Sequence, residues 1–144
     1  MKTLGVIYAI VAAVMWGVVY AIDQKILVKL SPLTLLIVSS VVTLVVCIPL
    51  ALWFEPHSLK TLMSSGRNTQ WLLLIATLLV IVANYFILFS VKEIGAPMAT
   101  ILEISYPFFV VLFVALFFGA KVSLPFWIGA LLMFAGAATI IKYS

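Results

Sequence analysis

The chain has 144 residues, of which 67% are hydrophobic and 8% charged, with a formal net charge of +4. Ordinary globular domains carry about 25% charged residues, and a soluble core of this length cannot hide so much apolar surface, which leaves lipid as the solvent. The 8 Lys and Arg residues are scattered singly rather than drawn into a stripe, which excludes nucleic acid as the reason for the positive charge and makes them markers of helix ends at anionic headgroups.

The first apolar run, 4–22, follows Lys2 as the core of a signal peptide would. It is too long for one, lacks a small-x-small cleavage site, and leads into further apolar runs, so it reads as a retained span. Runs at 32–54, 70–91, 97–119 and 124–142 follow. Each approaches or exceeds the ~20 residues that cross ~30 Å of hydrocarbon at 1.5 Å per residue. Their uniform apolarity predicts helices, because barrel strands alternate with period two.

The connections carry helix punctuation. "DQKILVKLSP" joins spans 1 and 2, with Pro32 suited to the first turn of a helix. "EPHSLKTLMSSGRNTQ" is the one substantial loop, and its "SLKTLM" reads as a short interfacial helical turn. "KEIGAP" joins spans 3 and 4, with Gly95 as a cap and Pro97 as a restart; "GAKVSLP" does the same for spans 4 and 5. The expected fold class is all-α integral membrane, with five transmembrane helices in a single domain over 1–144. The lone cysteine, Cys47, permits no intrachain disulfide, and no Cys/His cluster suits a metal. His57, in "FEPHSLK", reads as a solvated loop histidine. No cofactor is implied, and the lack of a Ser/His/Asp set argues against a membrane enzyme.

Five spans put the termini on opposite faces. Lys2, Lys60, Arg67 and Lys121 then lie on the N-terminal face, and Lys25, Lys29, Lys92 and Lys142 on the other. Orientation follows the imbalance of such residues between faces, and here the two faces balance. Either local effects such as the order of synthesis select one orientation, or the chain inserts both ways and pairs antiparallel with itself.

Several stretches align with a known pattern: "MWGVVYAIDQKIL" and "SPLTLLIVSS", then "NYFILFSVKEIGAPMATILEISYPFFVVLFVALFFGAKVSLPFWIGALLMFAGAATI". The Trp-Gly of span 1, the Ser-Pro entry to span 2, the small-Pro-x-Ala entry to span 4, its mid-span Pro, and the Gly-rich span 5 together resemble the EamA-type repeat of the drug/metabolite transporter superfamily. The resemblance covers nearly the whole chain. It implies a transporter of metabolites, amino acids or drugs. Most members look like two such units in inverted orientation, so one unit implies a dimer, with the second half supplied by another copy or by a paralogue. The related small multidrug resistance proteins pair antiparallel and exchange protons for cationic drugs on a membrane-embedded glutamate in their first span. Two features depart from the EamA pattern. The Arg that many units carry in span 2 is replaced near Ser39, and the Gly-Glu ending span 4 reads Gly119-Ala120-Lys121. The first departure argues against an anionic metabolite.

The candidate site follows from chemistry rather than alignment. Glu103, in "ATILEISYPFF", lies about seven residues into span 4, roughly 10 Å deep. A charged carboxylate at a helix centre costs about 2.5–3.5 kcal/mol, and such acids mark proton or ion paths. Ala99, Thr100, Tyr106 and Pro107 lie one turn to either side. Pro107 removes the hydrogen bond to the Glu103 carbonyl and so breaks the helix beside the acid. The other reading is a neutral Glu103 bonded to a Tyr or Ser of a neighbouring helix. In span 1, Trp16, Tyr20 and Asp23 are spaced i, i+4, i+7 on one face, and aromatic walls suit cations. Asp23 by itself reads as a loop residue at the membrane boundary. Asn84 in span 3 is either a cavity group or interhelical glue. Gly129 and Gly136 in span 5 share a small face for packing, either within the chain or with a dimer partner.

The expected function is a small secondary transporter, coupled to protons through Glu103, with Trp16, Tyr20, Asn84, Tyr106 and Thr100 around a substrate of small, cationic or drug-like kind. The partners are then the lipid bilayer, that solute and a second chain, in the cytoplasmic membrane of a bacterium or archaeon. The alternative is a non-transporting or heterodimeric subunit, such as half of a lipid flippase, that needs a partner chain.

Overall fold

The computed structural model describes residues 2–119, 121 and 123–143. In order come α1 (Lys2–Leu27), α2 (Pro32–Phe54), α3 (Ser58–Ser64), α4 (Arg67–Ile94), α5 (Ala96–Glu103), α6 (Tyr106–Phe118) and α7 (Leu124–Tyr143). Five stretches are long and apolar enough to cross a membrane: α1 from Thr3, α2, α4, α5 with α6, and α7. The expected five-span, all-helical fold is present among the described residues.

Local chemistry sets the helix ends. Ser31 caps α2, its Oγ accepting from the Thr34 N–H at 3.1 Å, with Pro32 in the first turn. The turn expected in "SLKTLM" is α3, which His57 precedes with an exposed side chain. Gln70 ties the start of α4 back to α3 by donating from Nε2 to the Leu62 carbonyl at 3.2 Å. Gly95 ends α4 and begins α5 at φ 82° and ψ 156°, a backbone region that is nearly glycine-only. The expected "GAKVSLP" join contains Ala120 and Val122, which lie outside the described residues.

Two spans are longer than hydropathy implies. α1 runs 26 residues to Leu27 rather than ending at 22, and α4 runs 28 residues rather than 70–91. Hydropathy falls at Asp23, Gln24 and Lys25, but the helical hydrogen bonds continue through them. A helix of that length spans about 39 Å, more than the ~30 Å hydrocarbon, so its polar end projects into the interface or the helix tilts. Asp23 is therefore half-buried inside a helix, not in a loop.

α1, α2, α4 and α5 pack together, and α7 packs on α5 and α6. The first group meets at one end only. Leu27, Leu88, Val91, Ala96 and Ala99 form a buried cluster, with Tyr20, Leu35, Leu36 and Ile87 around it. This apolar plug lies at the face that carries the α1–α2 turn and Gly95. Away from it every residue of 3–19, 37–50 and 67–83 is exposed, so α1, α2 and α4 diverge toward the N-terminal face. The accessible surface of 11565 Å² far exceeds the roughly 7,300 Å² of a compact globular protein of this mass. Phe108 joins α6 to α7, meeting Trp127 and Phe134 edge to face with centroids 5.6 and 5.3 Å apart.

Candidate functional site

α1, α4 and α5 each carry one stripe toward the others. On α1 the stripe is Trp16, Tyr20, Gln24 and Leu27, at helical spacing. On α4 it is Asn84, Leu88 and Val91, and on α5 it is Ala96, Ala99 and Glu103. The apolar end of each stripe enters the plug. The polar end lies beyond it, where the helices part. Tyr20 and Glu103 thus meet at the base of a cleft between the parting helices, closed at the Gly95 face and open toward the N-terminal face, with Trp16 one turn further along α1 and Asn84 one turn beyond Leu88 on α4.

Glu103 and Tyr20 meet directly. The Tyr20 hydroxyl donates to Glu103 Oε1 at 3.0 Å, bridging 83 positions of sequence. Trp16 stacks on Tyr20, with centroids 5.5 Å apart and planes inclined 29°. The carboxylate is half-buried, while Trp16 is 53% exposed. An acid therefore sits beside two stacked aromatic rings at the cleft edge, a combination that attracts cations and can hold a proton. The bond to a tyrosine of a neighbouring helix is also the contact that a purely structural Glu103 would make.

The fourth span kinks beside this acid. α5 ends at Glu103, Ile104 and Ser105 form a turn, and α6 begins at Tyr106 with Pro107 in its first turn. Pro107 has no N–H for the Glu103 carbonyl. The ladder instead closes through Ser105 N–H to the Leu102 carbonyl at 3.3 Å, Phe108 N–H to the Ser105 carbonyl at 3.1 Å, and Ser105 Oγ to the Leu102 carbonyl at 2.8 Å. Ile104 (φ −58°, ψ −11°) and Ser105 (φ −72°, ψ −15°) keep right-handed helical angles, so the span kinks at the proline rather than unwinding.

The other expected residues differ in placement. Asn84 is half-buried and on the cleft face of α4; no side-chain hydrogen bond fixes its amide among the described residues. Thr100 is half-buried, but its Oγ1 donates to the Ala96 carbonyl of its own helix at 2.8 Å. Tyr106 lies next to the kink and is 61% exposed, without a hydrogen bond to Glu103. On α7, Ala130 and Ala137 are the buried small residues, whereas a Cβ built at Gly129 or Gly136 meets nothing within 4 Å. The glycine face of α7 is open, and the alanine face packs inside the chain. Among the described residues, no three of His, Cys, Asp and Glu come together as metal ligands.

One residue escaped the sequence reading. Gln24 Oε1 accepts from the Ala96 N–H at 2.9 Å, across 72 positions, and so caps α5 from α1. Its helical spacing from Trp16 and Tyr20 was a usable signal, but a first span ending at 22 placed it in the connection.

Neither the curated proteins nor the solved structures returned a match. The model of the EamA-like transporter family matches residues 3–142. With that match across nearly the entire length, five spans and a cleft edged by an intramembrane acid, the chain belongs to the EamA-like transporter family.

Proposed function

We propose that this multi-pass membrane protein is a secondary transporter that moves a small metabolite or a cationic, drug-like solute by alternating access. Glu103 binds either a proton or the cationic group of the solute, and this competition couples the two movements. Tyr20 holds the carboxylate, Trp16 forms an aromatic wall, and Asn84 lines the opposite side. The observation that carries this reading is the Tyr20–Glu103 bond beside a proline kink, in a cleft closed at one face and open at the other. The working unit is a pair of chains in the cytoplasmic membrane of a bacterium or archaeon, arranged antiparallel. Support comes from the balance of Lys and Arg between faces, from the open Gly129–Gly136 face and from the surplus surface. That surplus, about 4,000 Å² on one chain, is surface for lipid or a second chain to cover. The same features suit a partner encoded by another gene, and in that case the chain is half of a heterodimer.

The test is solute flux into proteoliposomes of the purified chain, driven by a pH gradient. Glu103→Gln keeps the shape and a hydrogen-bond acceptor for Tyr20 but cannot exchange a proton. Gradient-driven flux is expected to vanish in this variant while assembly stays intact. Undiminished gradient-driven flux would remove proton coupling through Glu103.

A further inference from the structure

The plug closes the cleft at the Gly95 face. Behind it, on that face, lies a pocket of about 290 Å³ that Gln24, Leu27, Val91, Lys92 and Gly95 help to line. Leu27 and Val91 belong to both, so they stand at the boundary between plug and pocket, and Gln24 lines the pocket beside them. Two of the plug's five members, Ala96 and Ala99, are small residues of α5. The glycine turn at Gly95 and the kink at Ile104–Ser105 bound α5. Both are element-terminal positions, the kind at which hinges absorb changes of φ and ψ.

Two side-chain hydrogen bonds tie this segment to α1: Tyr20 to Glu103 at its cleft end, and Gln24 to the Ala96 N–H at its Gly95 end. The second is a bond to backbone. Pro97 has no N–H, and the Ala99 N–H turns back to the Gly95 carbonyl at 3.1 Å, so the Ala96 N–H is the first-turn donor that reaches across to α1. Gly95 shapes the approach. A Cβ there would stand 3.7 Å from Gln24 Nε2, so the amide lies directly against the glycine.

We propose that Gln24 is the latch of a gate on the Gly95 face. The start of α5 is the moving leaf, and the pocket behind the plug is the outer vestibule through which solute passes once the leaf lifts. Gln24 is a positioning residue: it acts through α5 and does not touch the proton or the solute. The inference rests on the alternating-access reading, but it concerns which contact keeps one face shut. Gln24 carries no charge, so the latch itself does not respond to pH, and the proton sensor stays at the other end of α5.

The test reads a distance and needs no flux. Spin labels go on Leu30→Cys and Leu102→Cys in a Cys47→Ser background, in lipid nanodiscs, diluted with unlabelled protein so that distances within one chain dominate. Gln24→Met keeps the length of the side chain and removes the acceptor. It is expected to raise the ratio of long to short distances about five- to a hundredfold, the shift that follows when a buried N–H loses its partner. Gln24→Glu keeps an oxygen for the Ala96 N–H and is expected to retain the parent distribution. If Gln24→Met does not fold, Gln24→Asn, one methylene too short to reach, is read in the same way. An unchanged distribution in the acceptor-less or shortened variant would overturn the latch. Normal gradient-driven flux in Glu103→Gln would instead overturn proton coupling and leave these distances untouched, so the two failures are distinct.

Discussion

Gly95→Ala isolates backbone strain from packing. A Cβ at Gly95 has room, since its nearest neighbours are Gln24 Nε2 at 3.7 Å, Gln24 Oε1 at 3.9 Å and Pro97 Cδ at 3.9 Å, all ordinary contacts. The cost lies in the chain itself. At φ 82° and ψ 156° a side-chain-bearing residue loses about 1–3 kcal/mol. Gly66 is the matched control. It stands at φ −58° and ψ 152° with nothing within 4 Å of a built Cβ. Alanine there gains by restricting the unfolded chain and loses as the N-cap of α4, where glycine is preferred, so little net change is expected. Equilibrium unfolding of both variants in mixed micelles, followed by far-ultraviolet circular dichroism against SDS fraction, reads the difference directly. Gly95→Ala is expected to unfold first, with Gly66→Ala close to the parent. Because strain at Gly95 misaims the Ala96 N–H, Gly95→Ala is also expected to lengthen the Leu30–Leu102 distance as loss of the Gln24 amide does. Equal stability of the two alanine variants would refute the assignment of strain to Gly95.

Tyr20→Phe keeps the ring against Trp16 and removes only the donor to Glu103. With the carboxylate half-buried, it is expected to lower the unfolding free energy by about 1 kcal/mol and to reduce flux, both measured against the parent protein in the same lipid; unchanged values for both would make the bond incidental. Gly136→Leu adds bulk to an open face, so the chain is expected to fold normally while cross-linked pairs disappear in membranes; intact pairing would remove that face from the interface. Ala137→Leu adds the same bulk to a buried position, and overpacking is expected to cost about 1–3 kcal/mol in the same unfolding assay.

Local chemistry was legible in the sequence wherever it acts over one or two turns. Ser31-Pro32 opens α2, Gly95 closes α4, the "SLKTLM" run is helical, and Pro107 kinks the span beside Glu103. Span ends were less legible, because hydropathy reports solvent and helical hydrogen bonds do not. Asp23 and Gln24 are polar yet lie within α1, which continues until the chain turns after Leu27. The two contacts that assemble the cleft were the least legible. Tyr20–Glu103 and Gln24–Ala96 join residues 83 and 72 positions apart, and no periodicity encodes which turn of α1 meets which turn of α5. Periodicity identified the α1 face that carries Trp16 and Tyr20, but not its partner. The seven-residue spacing in α7 was equally ambiguous, since the Gly129–Gly136 and Ala130–Ala137 pairs share it and only packing shows which one faces inward.

Proton release on cation binding tests the role of Glu103 most directly. Tetraphenylphosphonium, a lipophilic cation, is titrated into the purified protein in weakly buffered micelles while a pH-sensitive dye follows the solution. Protons are expected to appear in proportion to the cation bound, and Glu103→Gln is expected to release none. Equal release from Glu103→Gln, or binding to the parent protein without any release, would contradict competition between proton and solute at this carboxylate.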